Sequence, residues 1–296
     1  MAPIFSANYS TARSSADCQY SLPQGLHVYP DGSCKVSFSS KQFRTEKDFA
    51  QSLFTSVQPG SGAFGVEFSA SDGYRTTSSK IHPGETFLII SDASCHYYKS
   101  RLDLHAPPPL NDDFVQLVNR LITAGDQQAA AHDFFNTYGT HLALEMDSGA
   151  RFTKQHQMTY HDYDEAATLS DLDITWQANF ASTLDLSGET QLLNDEQRQA
   201  AANFQKRVET TTHTVGTTPP VSGDATTWAS MVKQDPMPIR YKLRRIDSLF
   251  TAEFMSSISG YARAGHILRQ HKDSYCAKLP KHLGVRKFCA RKYSGW

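Results

Sequence analysis

Hydrophobic residues along this chain recur with two periods, and the switches between them mark its elements. The clearest switch lies between residues 126 and 149. Asp126 is placed to cap a helix whose apolar face carries Ala130, Phe134 and Tyr138, and Gly139 stands where a left-handed C-terminal cap would end it. Directly afterwards Leu142, Leu144 and Met146 alternate with Ala143, Glu145 and Asp147, the two-residue repeat of a half-buried strand, and Gly149 punctuates its far end. A helix therefore hands over to a strand within two residues.

The same reading gives the other regular elements. Between Gly25 and Ser39, Leu26, Val28, a Pro30-Asp31-Gly32 turn, Cys34, Val36 and Phe38 predict a hairpin. Thr86 to Tyr98 reads as a strand through Phe87, Leu88, Ile89 and Ile90, and Pro107-Pro108-Pro109 break the chain after it. A helix is expected from near Asp112, with Phe114, Val115, Leu117, Val118, Leu121 and Ile122 on its buried face. Further on comes a helix from about Thr251 to Leu268.

Two stretches satisfy both periods at once. In residues 43–80, Phe43, Phe49, Leu53, Phe54 and Val57 suit a short helix, yet Phe64, Val66, Phe68 and Ala70 alternate strictly with polar or small residues. In residues 153–214, Trp176, Ala178, Phe180, Ser182, Leu184 and Leu186 alternate with Gln177, Asn179, Ala181, Thr183, Asp185 and Ser187. That run is close to the ~9–11 residues a tilted strand needs to cross a bilayer. Residues 195–208 look helical by capping and alanine content, although Ala202, Phe204, Lys206 and Val208 also permit an extended form.

Composition narrows the function classes. With 39% hydrophobic and 20% charged residues and a net charge of -1, the chain is a folding sequence whose global charge selects no partner, nucleic acid included. Residues 272–296 differ, carrying seven Lys or Arg against Asp273 alone, and are expected to form a separate basic tail or the stub of a further module. No run of 18 or more apolar residues occurs, and the start lacks the basic flank and apolar stretch of a secretory signal. Cys18 with Cys34 and Cys276 with Cys289 are the candidate disulfides, which leaves Cys95 over. The Asn8-Tyr9-Ser10 sequon is a common chance match. Gly60-Ser61-Gly62-Ala63-Phe64-Gly65 has the letters of a dinucleotide fingerprint, but a helix precedes it and an extended run follows, the reverse of what that site requires. There is no Gly-x-Ser-x-Gly elbow, and His156, His161, Asp162, Asp164 and Glu165 lack metal-ligand spacing. Neither enzyme, metal nor cofactor is expected.

Tyr138-Gly139-Thr140-His141 at a helix-to-strand junction, with a small-residue pair at Ser148-Gly149, resembles the signature of the membrane attack complex/perforin (MACPF) family. The order around it is similar: a Cys-aromatic strand at Cys95-His96-Tyr97-Tyr98, a Pro-rich turn and a Phe-bearing helix before, then Val215-Gly216-Thr217, the Trp228 helix and the strand ending in Ile246 and Leu249. The family pattern has Gly-Gly where this chain has Ser148-Gly149 and Gly216-Thr217, so each place keeps one residue that takes φ > 0 cheaply.

The resemblance covers most of residues 25–270 and implies a domain over 1–271 followed by the tail at 272–296. It implies an α+β fold, like that of MACPF proteins and cholesterol-dependent cytolysins: a bent, twisted four-stranded antiparallel sheet flanked by two helical clusters. These clusters, at 43–80 and 153–214, would unfurl into transmembrane β-hairpins. Alternation then places Phe64, Val66, Phe68, Trp176, Phe180, Leu184 and Leu186 toward lipid, with Tyr138, Gly139, Thr140, His141, Gly149 and Gly216 as the hinge and signature residues. Tyr138 and His141 are read as packing residues without chemistry. Some members bridge the cysteine matching Cys95 to one in the second cluster; none stands there in this chain, so Cys95 is expected to be a buried free thiol. The function implied is a secreted monomer that forms a homo-oligomeric ring on a lipid membrane and inserts a shared β-barrel pore, with room for a separate targeting chain or domain. The alternative is a non-lytic adhesion or signalling module on the same fold. The basic tail, with Phe288, Tyr293 and Trp296, is a candidate dock for anionic membranes.

Overall fold

The computed structural model describes residues 2–31, 39–44, 81, 82, 84–162, 208–220 and 225–279, with single residues 195, 199, 202, 203, 206 and 289. After a small two-stranded sheet, β1 (Arg13–Ser14) with β2 (Ser21–Leu22), the described strands form one antiparallel sheet of four columns. The two inner columns are long and unbroken. β5 (Thr86–Leu102) pairs with β6 (His141–Thr159) from Thr86 opposite Thr159 to Arg101 opposite Glu145.

Each outer column is two shorter strands laid end to end. Along β5, β3 (Leu26–Pro30) faces Leu102 to Tyr98, and β4 (Ser39–Phe43) faces Asp92 to Leu88. Along β6, β7 (Glu209–Val215) faces Gln157 to Arg151, and β8 (Met237–Arg245) faces Gly149 to His141. Both outer columns are thus interrupted near the middle of the sheet.

The helices cover one face at the β3 and β8 end. α1 (Asp112–Thr123) is capped by the Asn111 side chain, which accepts from the Asp113 N–H at 3.0 Å. α2 (Gln127–Tyr138) is capped by Asp126, which accepts from the Ala129 N–H at 2.9 Å. Phe114, Phe134, Tyr138 and Phe250 form an aromatic cluster, with Phe114 and Tyr138 ring centroids 4.9 Å apart, and Leu102, Leu142 and Leu144 of the sheet close the same core.

The structure corrects several sequence expectations. Gly139 ends α2 with its N–H on the Phe135 carbonyl at 2.9 Å, but at φ 77° and ψ -177° rather than in the left-handed helical region. That extended ψ turns the chain straight into β6. Gly149 does not end this strand, which continues ten residues further to Thr159. Of the hairpin expected at Gly25–Ser39 the first strand is present as β3, which like β4 pairs with β5. Cys34, Val36 and Phe38 lie outside the described residues. Phe43, read as helical, is the buried last residue of β4.

The closing helix is divided. α4 (Ala252–Met255) is one turn, and Gly260 at φ 82° and ψ 12° starts α5 (Tyr261–Lys278). The domain boundary expected at 271/272 therefore falls inside α5, where Lys272 and Cys276 are buried, and Cys276 is bonded to Cys289 with Cα atoms 5.5 Å apart. Replacing the fully buried Phe114 by Ala should cost about 3–5 kcal/mol of stability. Tyr9→Ala at an exposed position should change it by less than ~0.5 kcal/mol in the same denaturant titration.

Candidate functional site at the bend of the sheet

Three backbone features coincide where the outer columns are interrupted. β5 carries one extra residue between His96 and Tyr98, a bulge that bends the strand and shifts its facing residues by one. Opposite the bulge, a Cβ on Gly149 would collide with the Cys95 carbonyl oxygen. Next to it Gly216 sits at φ 72°, where a Cβ would lie 2.7 Å from the Gly149 carbonyl oxygen. The two glycines singled out from sequence thus meet at one point, for different reasons. Gly149 is needed for close approach, since it is not among the positive-φ glycines, whereas Gly216 is needed for its φ.

Between β7 and β8 the chain forms α3 (Ala225–Val232), which fills the inside of this corner. Trp228 and Val232 are buried against Ala93, Cys95, Ala150 and Phe152, and the Trp228 indole N–H donates to the Thr217 carbonyl at 2.8 Å. Cys95 is disulfide-bonded to a residue outside the described set, and Cys18 is a free, exposed thiol. Both expectations for these cysteines are corrected. Cys18 lies in a tight turn at φ 59° with its N–H on the Ser15 carbonyl, facing solvent. Cys95 instead lies on β5 between Tyr98, where β3 departs, and Asp92, where β4 rejoins.

On the opposite face of the lower sheet, charges of alternating sign stand across the columns. Glu145 of β6 is 3.2 Å from Lys242, 3.4 Å from Lys99 and 3.8 Å from Arg101, and Asp147 is 3.4 Å from Arg240 and 3.6 Å from His96. Burial would raise the Glu145 carboxyl, but the hydrogen bond and charge of Lys242, with Lys99, outweigh it and hold it below its ordinary range. Burial and then Arg240 lower His96, against the opposing pull of Asp147. The lattice follows from Glu145 and Asp147 on one strand and Arg240 and Lys242 on its neighbour, a signal that pairing the two strands by period would have revealed.

Above the bend, Thr153, Lys154, Gln155 and His156 are four consecutive buried polar residues on the central strand. Desolvation lowers Lys154 to about 8, and desolvation with the Lys154 charge lowers His156 to about 4. At the other end of β6, Tyr138 is packed among aromatic rings, and His141 is lowered to about 4 by burial and by the charges of Lys272 and Arg245. His141 and Thr140 are joined side chain to side chain at 2.9 Å, and Ile246 donates to the Thr140 carbonyl at 3.0 Å. The signature residues are therefore brought into two groups: Tyr138 to His141 at the base of the sheet, Gly149 with Gly216 at its bend. Phe64, Val66, Phe68, Trp176, Phe180, Leu184 and Leu186 lie outside the described residues. Among the described residues no cluster of His, Cys, Asp and Glu fits a metal ion, and no helix is long and apolar enough to cross a membrane.

A bent antiparallel sheet of four columns with helices packed at one end defines the fold class of perforin-like proteins. The MAC/Perforin domain family matches residues 1–275, and the chain belongs to that family. Among solved structures it is similar to GNIP1Aa from Chromobacterium piscinae, with a TM-score of 0.64 and 13% identity over 95% of this chain and 53% of that one. The chain thus spans about half the length of that protein. It also matches Astrotactin-2, described as a vertebrate-specific, perforin-like membrane protein involved in neuronal development (TM-score 0.44, 14% identity, 89% and 90% covered). A third match is a putative cell invasion protein with a MAC/Perforin domain from Bacteroides thetaiotaomicron (0.43, 10%, 90% and 58%). The first similarity bears on the fold; the other two are too distant to carry an argument. No curated protein sequence matches.

Trp228→Ala should cost about 3–5 kcal/mol and loosen the bend, which near-ultraviolet circular dichroism would report alongside the denaturation midpoint. The buried histidines set a pH dependence. His141 and His156 titrate below their unfolded value of 6.5, so between pH 6.5 and about 4 the unfolded chain binds more protons than the folded one. Stability is full above that window and falls through it on acidification, by on the order of 3 kcal/mol per histidine. His156→Asn should flatten this fall in denaturation midpoints measured from pH 7 to pH 4.

Proposed function

We propose that this protein is a pore former that assembles into a ring on a membrane and inserts two β-hairpins per subunit into a shared barrel. The observation that carries this reading is topological. Residues 44–85 join β4 to β5, and residues 160–208 join β6 to β7. Both connections leave the same end of the sheet, where Phe43 faces Leu88, Thr86 faces Thr159 and Gln157 faces Glu209. Each connection therefore already spans two hydrogen-bonded antiparallel neighbours, and lengthening the strands extends an existing ladder without any change of partner.

The buried polar run at Thr153 to His156 supports the same reading. An ordinary strand core is mostly apolar, whereas a sheet whose face later meets water retains polar side chains along it, here with His156 Nδ1 and Thr210 Oγ1 2.9 Å apart across the ladder. Lipid imposes the oligomer, since a single hairpin would leave its edge N–H and C=O groups without partners, whereas a closed ring satisfies them all. The outer columns supply the two unlike edges that head-to-tail closure needs. The Cys276–Cys289 disulfide fits an oxidising, extracellular compartment, in keeping with a secreted monomer that becomes membrane-bound.

A charge on the lipid-facing side tests the reading. Trp176→Lys should cost about 2–4 kcal/mol per subunit at mid-membrane and abolish dye release from liposomes while leaving sedimentation with them intact. Unchanged release would contradict insertion of this segment. Wild-type protein that binds liposomes without releasing dye would favour the non-lytic alternative.

A further inference from the structure

The pairing of β6 with β7 fixes more than the location of the second hairpin. Resting on the pore reading above, we infer that this hairpin turns about Thr183, presents its even-numbered residues to lipid and collects its carboxylates on the water side, so that the pore conducts cations in preference to anions. The argument begins with parity. β7 meets β6 with Arg151 opposite Val215, Thr153 opposite His213, Gln155 opposite Thr211 and Gln157 opposite Glu209, odd residues facing odd and even facing even. No bulge interrupts these seven pairs. Residues directly opposite in a ladder share a face, so propagation of this register gives each face of the hairpin residues of one parity on both strands.

The sequence between the two strands has the matching parity. Even positions from 172 to 192 include Leu172, Ile174, Trp176, Ala178, Phe180, Leu184, Leu186 and Leu192, and none is charged. The acidic residues from 171 to 195 are Asp171, Asp173, Asp185, Glu189 and Asp195, every one odd, with no Lys, Arg or His among these residues. A slip of one residue between the strands would mix the two sets and send Asp185 and Glu189 into lipid with Trp176 and Phe180.

The register also sets the length. Counting inward from Gln157 opposite Glu209 brings residue 181 opposite 185, with Ser182-Thr183-Leu184 as a three-residue turn of the kind hairpins use. The strands flanking that turn, 171–181 and 185–195, each match the ~9–11 residues that span a bilayer. The run from Trp176 to Leu186, read from sequence as one crossing strand, then straddles the turn. Lining charge controls ion preference in channels. Residues 53–78 of the first connection carry Glu67 and Asp72 against Arg75 and cannot reverse the sign.

Two measurements on the full-length protein test this. In a Cys18→Ser background, which removes the exposed free thiol, single cysteines from 172 to 194 are labelled with an environment-sensitive dye. The labelled proteins are added to the liposomes on which wild-type dye release has been recorded. Even positions should report lipid and odd positions water, in the same phase on both sides of 183; a phase that inverts beyond 183 would overturn the register. In planar bilayers of the same lipid under a KCl gradient, the wild type should reverse toward the potassium potential. The variant Asp171→Asn, Asp173→Asn, Asp185→Asn, Glu189→Gln should reverse nearer zero. Anion-selective currents, or a reversal potential the variant leaves unmoved, would overturn the assignment of the acidic face. Absence of any release or current from the wild type would instead remove the pore reading on which the inference rests.

Discussion

The antiparallel ladder between β5 and β6 is the constraint from which the rest of this fold hangs. Each of these strands is long enough to carry two partners end to end on its outer side, so the four short strands are placed by the two long ones. Neither inner strand could be paired only locally, and the helices of the 112–138 segment are inserted between them in sequence. The single irregularity in the ladder, the bulge between His96 and Tyr98, therefore propagates across the sheet as a bend. Gly149 permits that bend because its backbone approaches Cys95 at a distance no side chain tolerates, and Gly216 because it takes a positive φ.

The two halves of the sheet differ in what holds them. Below the bend, one face packs on an aromatic and aliphatic core, and the other carries the Glu145 and Asp147 lattice against Lys99, Arg101, Lys242, Arg240 and His96. These ion pairs are partly exposed, and their value lies in register rather than stability, since a slip of β8 against β6 would take Arg240 and Lys242 away from Asp147 and Glu145. Above the bend, the central strand is buried with Lys154 and His156 inside, an arrangement with an electrostatic cost at neutral pH and a larger one in acid. In the reading proposed above, the half that packs on the larger core is the base that persists while the connections at the upper end rearrange.

Much of this architecture was legible in the sequence because local rules and long-range pairing agreed there. The Asp126 cap, the Tyr138 to His141 junction and the α1 face follow from periodicity and capping, and the Trp228 helix from the family resemblance. Sequence reading failed where pairing overrode local signals. The local signals around Pro30-Asp31 do not reveal that β3 joins the distant β5, to whose Tyr97 carbonyl the Asp31 N–H donates at 2.8 Å. Gly149 looked like a strand terminator, and its role as a point of close approach appears only once Cys95 lies opposite. The cysteines were misassigned for the same reason: proximity in sequence favoured Cys18, whereas position along β5 made Cys95 the bonded residue. The basic run beginning at Lys272 obscured the apolar face that carries α5 on through Cys276.

The central claim is that the resting sheet is the template for the inserted barrel, its ladders lengthening without exchange of partners. Electron cryo-microscopy of the ring on liposomes tests this most directly. The account predicts that β6 runs unbroken past Thr159 and β7 begins well before Glu209, the two paired in the odd-with-odd register seen below them. A membrane-bound assembly in which β6 still ends at Thr159, or in which it pairs with a strand other than the extension of β7, would contradict it.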